Sequence, residues 1–242
     1  LAYFGCQRSG YKYNARRPNM EARLYLILDI IIFLGPLTRA FEPRIRYIDL
    51  WPRLLAATLV VMAIFLPWDI AFTHQGIWGF TPKYLIPWDF MGLPLEEVLF
   101  FLVVPWACYF IYEVLQLFFY WDRTSRPVYM LTIAAAIGCI ALAMKNGHHA
   151  YTFWTFLLLG GGLGVAGIWR PYWLSAFYRA YAVSLIPFFL VNGILTGSYL
   201  DEPIVWYAAS ENLGIRIGTI PLEDGFYSMF MMLVYTTIVQ WN

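Results

Sequence analysis

Two short segments of this chain carry the same chemistry. Pro94-Leu95-Glu96-Glu97 runs into Val98-Leu99-Phe100-Phe101, and Pro221-Leu222-Glu223-Asp224 runs into Gly225-Phe226-Tyr227-Ser228. Each is a proline, a leucine and two adjacent carboxyl groups at the mouth of a long apolar stretch. Proline favours the first helical position, and acids in the first turn complement the positive end of the helix dipole. Each segment therefore predicts the start of a helix with two carboxyl groups at its rim. Two acidic rims on an apolar interior point to acid–base chemistry on a hydrophobic substrate.

The elements that must hold these groups are membrane helices. The chain is 61% hydrophobic and 13% charged, with a mean hydropathy of +0.60. Seven windows are nearly free of charge, at about 24–40, 51–72, 93–118, 128–144, 151–168, 174–196 and 221–239. Most approach the ~20 residues that cross a bilayer as a helix. The runs are continuous and do not alternate, which argues against a membrane β-barrel. The expected fold is all-α, a polytopic membrane protein with seven transmembrane helices.

Charge distribution orients it. Arg39, Arg44, Arg46, Arg53, Arg123, Arg126, Arg170 and Arg179 fall in the loops after helices 1, 3 and 5 or at their edges, against Lys83, Lys145 and Arg216 in the opposite loops. Eight basic residues against three place the first set in the cytoplasm. The reading is a multi-pass cell-membrane protein (inner membrane, if bacterial) with the N-terminus out and the C-terminus inside. Nine of the fifteen acids, both motifs included, then share the outer face. Residues 1–19 carry Arg8, Lys12, Arg16 and Arg17, which conflict with an outer location, and lack a signal-peptide core. They are read as an upstream extension or tail ahead of Met20. Cys6, Cys108 and Cys139 show neither disulfide nor zinc spacing.

An internal repeat emerges from the same motifs. Phe65-Leu66-Pro67-Trp68-Asp69-Ile70 precedes the first by one loop, and Phe189-Leu190-Val191-Asn192-Gly193-Ile194 precedes the second. Both loops are rich in Gly, Pro and aromatic residues. The chain divides into a tail (1–19), a first repeat (20–118), a linker helix (119–147) and a second repeat (148–242). Two three-helix repeats joined directly would be inverted. One added helix makes them parallel and brings both acidic motifs to one face, in agreement with the charge count. Parallel repeats often place a site at their interface.

Each candidate has a plainer alternative. A first-turn acid explains one carboxylate per motif, but not why a second recurs. Acids at the edge of an apolar interior are functional by default, so Glu96, Glu97, Glu223 and Asp224 are taken as catalytic candidates, with Asp69 beside them. Glu113 is read as an interfacial anchor. Asp29, inside helix 1, is either a protonated core residue or a partner of the site. Trp68, Trp78, Trp88, Tyr112, Trp206 and Tyr227 lie near the carboxylates in sequence. Aromatic faces stabilise a cation, although the common role of such residues is the interface belt. Gly162 to Gly167 matches a dinucleotide fingerprint as a string, but without the strand before it or the acid after it. Gly160 and Gly164 read instead as small residues for helix packing. His148-His149 is a weak metal signal, and no metal site is expected.

These residues, in this order, resemble the lycopene cyclase domain of the heterodimeric type. The resemblance rests on Trp68-Asp69-Ile70-Ala71-Phe72-Thr73, Gly76-Ile77-Trp78-Gly79-Phe80, Pro94-Leu95-Glu96-Glu97 and Cys108-Tyr109-Phe110-Ile111-Tyr112-Glu113. The second half is similar to the partner subunit, through Asn192-Gly193-Ile194-Leu195-Thr196-Gly197, Gly214-Ile215-Arg216 and Thr219-Ile220-Pro221-Leu222-Glu223-Asp224. It covers nearly everything after Met20 and implies the fused form of two small membrane subunits. The implied activity closes the linear ends of lycopene into β-ionone rings, without net redox and without a tightly bound flavin. A carboxylic acid protonates the terminal alkene, the internal alkene closes the ring, and a base removes a proton. Glu96 or Glu97 would work with Glu223 or Asp224, the roles of acid and base left open. Asn192 joins the substrate-binding candidates. The partners implied are a linear carotenoid and membrane lipid, not nucleic acid. Relatives with these motifs also make ε-rings or act on longer carotenoids.

Two rival classes fit less well. A membrane prenyltransferase needs spaced aspartates that hold Mg²⁺ on a diphosphate, whereas these acids are adjacent pairs. A retinal protein needs a lysine in helix 7, and the lysines are Lys12, Lys83 and Lys145. A transporter would need an ion relay, and no helix interior after Asp29 carries a clear one. The topology is checked by reporter fusions: residues 94–97 and 221–224 are expected on the same, non-cytoplasmic face. Reporters that put them on opposite faces would refute the parity argument.

Overall fold

The structure is a computed structural model that describes residues 20–119 and 124–241. The expectations about residues 1–19, and the charge at Arg123, lie outside the described residues. Among the described residues seven α-helices follow one another: α1 (Leu24–Leu37), α2 (Trp51–His74), α3 (Leu95–Phe118), α4 (Arg126–Lys145), α5 (Ala150–Trp169), α6 (Leu174–Leu195) and α7 (Leu222–Val239). Their bounds follow the apolar windows closely, because a continuous apolar run satisfies its backbone only internally. Proline at the first positions starts α2 and α4. Five helices, α2 to α6, are long and apolar enough to cross a membrane; α1 has only 14 residues, and α7 is not among the five. Large apolar side chains such as Leu59, Met130, Ile137, Ile168 and Leu190 are exposed along the helices.

The chain is mostly helical, but not purely so. Six short strands occur: β1 (Trp78–Phe80), β2 (Asp89–Phe90), β3 (Leu93–Pro94), β4 (Val205–Tyr207), β5 (Arg216–Ile217) and β6 (Ile220–Pro221). β2 pairs with β3 and β5 with β6, each just ahead of an acidic motif. β1 pairs antiparallel with β4, so a loop from each half of the chain joins the other. Continuous apolar runs carry no signal for these strands. They arise where the chain leaves the helices and its backbone groups need partners. In the β1–β4 register Gly79 lies opposite Trp206. A Cβ at Gly79 would run into the Trp206 ring.

The largest core cluster is aromatic and aliphatic, with Val61 and Phe65 of α2, Phe101 and Tyr109 of α3, Phe177 of α6 and Tyr235 of α7. α4 packs chiefly against α5. Small residues allow this approach: a Cβ at Gly160 would stand 2.7 Å from Ile140 Cγ1 and 3.0 Å from the Ala136 carbonyl oxygen. At Gly164 the nearest such atom, Ala136 Cβ, is 3.8 Å away, and at Gly161 there is open space. Gly160→Ala is therefore expected to destabilise by about 1–3 kcal/mol through overpacking. Gly161→Ala should be neutral, or stabilise by up to about 1 kcal/mol through helix propensity. Unfolding of the purified protein in detergent compares the two. Equal effects would place the α4–α5 contact elsewhere.

Candidate active site

The two residues of each acidic pair have different surroundings. Pro94 and Pro221 stand just before α3 and α7 with matching backbone angles, φ −54°, ψ 145° and φ −56°, ψ 141°. Glu96 and Glu97 thus fall in the first turn of α3, and Glu223 and Asp224 in that of α7. The first carboxyl of each pair turns back to its own loop. Glu96, fully buried, accepts the Ile86 N–H at 2.7 Å on Oε1. Glu223, also fully buried, accepts the Leu213 N–H at 2.7 Å and the Thr152 hydroxyl at 2.6 Å. In both cases the amide lies ten residues earlier in the chain. These groups tie the loop over the helix start, and neither lines the central cavity.

The second carboxyls line it together. Glu97 and Asp224 share with Asp69 a narrow cavity of about 60 Å³ between the two halves of the chain. The Tyr25 phenol donates to Glu97 Oε2 at 2.6 Å, and the Tyr151 phenol to Asp224 Oδ1 at 2.7 Å. Tyr25 and Tyr151 are each the second residue of a helix, α1 and α5. Asp69, near the end of α2, accepts the Trp78 indole N–H at 2.5 Å. Its carboxyl lines the same narrow cavity as that of Glu97, and its Oδ2 is buried without a donor among the described residues. Asp224 Oδ2 accepts the Asn192 amide at 2.8 Å and the Tyr207 phenol at 2.9 Å. Burial, and then the Asp224 charge, push the Tyr207 phenol well above its ordinary range, so it stays a donor.

Aromatic rings enclose these acids. Tyr151 stacks on Tyr207 with centroids 5.7 Å apart, and Trp78 meets Tyr151 edge-on at 5.1 Å. Tyr227 lies 6.3 Å from Trp78 and 4.9 Å from Trp68. No Lys, Arg or His is among the described residues that line the cavity. Beside it lies an apolar groove of about 410 Å³ bordered by α1, α3, α6 and α7, with Ile32, Val104, Ile111, Pro187 and Val191 on its walls. Phe100, Phe188 and Met231 line both spaces.

Of the residues singled out in the sequence, Asp69, Glu97, Asp224, Trp78, Asn192 and Tyr227 meet at this cavity, and Trp68 stands behind Tyr227. Three aromatic candidates do not join them. Trp88 is 68% exposed in the loop before α3. Trp206 is 41% exposed, because strand alternation turns Tyr207 inward in its place. Tyr112 is 15 residues beyond Glu97 on α3, about 22 Å along the helix, where it stacks on Tyr109. Glu113 shares that far end. Asp29 is buried one helical turn after Tyr25, and neither of its oxygens meets a donor among the described residues. His149 contacts the Ser210 carbonyl. Among the described residues no group of three or more His, Cys, Asp or Glu is arranged to hold a metal ion.

Sequence reading missed Tyr25, Tyr151, Tyr207 and Thr152. The signal for Tyr25 and Tyr151 was available: each opens the first helix of its half. Tyr207 was hidden by its neighbour Trp206.

Comparison with known proteins shows the family of the chain. The family model described as lycopene cyclase matches residues 22–115 and 148–242. The chain belongs to the lycopene cyclase family, in its fused two-repeat form. Among curated proteins, it is similar to the bifunctional lycopene cyclase/phytoene synthase of Aspergillus oryzae, with 26% identity over 57% of this chain and 25% of that protein. The protein of the same description from Aspergillus niger is 25% identical over 69% of this chain and 28% of the relative. That from Leptosphaeria maculans is 31% identical over 40% and 16%. The chain spans about a quarter of the length of the relatives that it matches most widely. No solved structure matches.

The buried loop ties yield a stability prediction. Glu96→Ala leaves the Ile86 N–H without its acceptor, which typically costs about 1–3 kcal/mol. Glu96→Gln keeps an oxygen in place and should cost less. Denaturant unfolding in detergent measures both, and an equal loss would show that the charge, not the acceptor, holds the loop.

Proposed function

We propose that this chain is a membrane-embedded carotenoid cyclase that closes the linear ends of lycopene, or a related carotenoid, into β-ionone rings. The observation that carries this reading is the meeting of carboxyl groups from both halves in one aromatic-walled cavity, beside an apolar groove. A linear polyene fits a groove with apolar walls, and its terminal alkenes would then lie against Asp69, Glu97 and Asp224. One carboxyl protonates the terminal alkene, giving a tertiary cation. The internal alkene attacks to form the six-membered ring, and a second carboxyl removes a proton. One proton enters and one leaves, so the reaction is an isomerisation by general acid–base catalysis. Trp78, Tyr151, Tyr207 and Tyr227 offer ring faces to the cation. A narrow, aromatic-lined space limits the water that would capture it. A diphosphate substrate, as in the prenyltransferase alternative, would find no cation among the described cavity residues to hold it. The substrate reaches the groove from the lipid phase, with the acidic end of the bundle on the outer face of the cell membrane. Which ring isomer forms depends on which proton the base takes, and the β product is the reading adopted here.

Expression in cells that accumulate lycopene, followed by pigment chromatography, tests this directly: cyclic products are expected. Glu97→Gln and Asp224→Asn should each lower ring formation by roughly a hundred- to ten-thousandfold. Glu96→Gln and Glu223→Gln keep the oxygens that hold the loops and should retain much more activity. Undiminished cyclisation after Glu97→Gln or Asp224→Asn would remove the shared cavity from the mechanism.

A further inference from the structure

Glu97 and Asp224 occupy equivalent first-turn positions and each accepts a tyrosine from the first helix of its half, yet their remaining neighbours differ in kind. Glu97 shares its narrow cavity with a second carboxyl, that of Asp69. Two carboxyl groups buried side by side in one narrow cavity are costly as two anions, which favours one proton held by the pair. Asp69 Oδ1 accepts the Trp78 indole N–H and, at 3.4 Å, the Thr73 hydroxyl, but its Oδ2 meets no N–H or O–H donor among the described residues. Asp224 faces three donors and no acceptor in its contacts: the Tyr151 phenol at 2.7 Å, the Asn192 amide at 2.8 Å and the Tyr207 phenol at 2.9 Å. A carboxyl ringed by donors is solvated as the anion.

We propose that the Asp69–Glu97 pair is the proton donor of the cyclisation and that Asp224 is the base that takes the proton from the ring. The assignment rests on the cyclase reading above and fixes the roles within it. Before turnover the pair holds one proton and Asp224 none. The pair's proton forms the new C–H bond at the terminal alkene, and the cation passes to the ring as the C–C bond closes. A ring C–H bond then breaks, its electrons restoring the alkene and its proton passing to Asp224. The proton on Asp224 returns to the pair by exchange with water before the next ring closes. Nothing is oxidised or reduced. Donor and base therefore come from different halves of the chain. The pair titrates as a unit, so the proton is assigned to the pair and not to either member.

The test has two arms on the purified full chain. In infrared spectra taken in H₂O and D₂O, wild-type protein should show a protonated-carboxyl band. The double variant D69N/E97Q should lose part of that band, whereas Asp224→Asn should leave it intact. In the second arm, lycopene is incubated with each protein in D₂O, and recovered linear substrate is analysed by mass spectrometry. Asp224→Asn still holds the donor, so it should place deuterium in the linear substrate while forming rings roughly a hundred- to ten-thousandfold more slowly. The double variant should place none. Loss of the band in Asp224→Asn, or deuterium uptake that survives in D69N/E97Q, would overturn the assignment. The absence of any protonated-carboxyl band in wild-type protein would overturn it without recourse to variants. If wild-type protein forms no rings from any linear carotenoid, the cyclase reading fails, while the infrared arm still reports where the proton resides.

Discussion

Burying carboxyl groups at one end of an apolar bundle is the constraint on which the rest of this structure depends. An uncompensated carboxylate is costly away from water. Each acid near the cavity, Asp29 excepted, has therefore drawn a specific donor or a second carboxyl toward it. Glu96 and Glu223 take loop amides, which fixes the chain that crosses the helix starts. Glu97 and Asp224 take phenols from α1 and α5, which fixes where those helices begin against α3 and α7. The helix positions, the loop courses and the aromatic walls are consequences of satisfying the same few oxygens.

The acidic pairs thus divide labour between neighbours. One carboxyl holds the scaffold and the next one faces the cavity, because adjacent residues in a helix point about 100° apart. This accounts for the doubled acid in each motif, which a helix cap alone leaves unexplained. The β1–β4 ladder adds a second link between the halves. It pairs Tyr207 directly with Trp78, their rings 6.3 Å apart and edge-on, one bonded to Asp224 and the other to Asp69. Neither half has a complete set of these contacts alone.

Similar halves have also acquired different electrostatics. Both present a tyrosine and a carboxyl in the same place, but α2 brings an acid to its partner carboxyl and α6 brings an amide. The proposed roles of donor pair and base rest on this difference, Asp69 from α2 beside Glu97 and Asn192 from α6 bonded to Asp224. It offers a physical route by which a duplicated domain gains two complementary roles without new elements.

The sequence by itself determined the helices and marked the acidic motifs that open α3 and α7. Apolar runs and proline positions are local properties, and a bilayer-length helix has few alternatives. The glycine at 160 was legible for the same reason, since close packing leaves its mark on one residue. Only the tertiary structure decided which acid of each pair faces the cavity, since both Glu96 and Glu97 satisfy the same motif and differ by one helical step. It also decided that Trp88, Trp206 and Tyr112 stand apart from the acids while Tyr25 and Tyr151 join them. Nearness in sequence to a carboxylate says little about nearness in space when helices cross and strands alternate. The meeting of Asp69 with Glu97 in one cavity joins residues 28 positions apart on two helices, and no pattern along either helix records it.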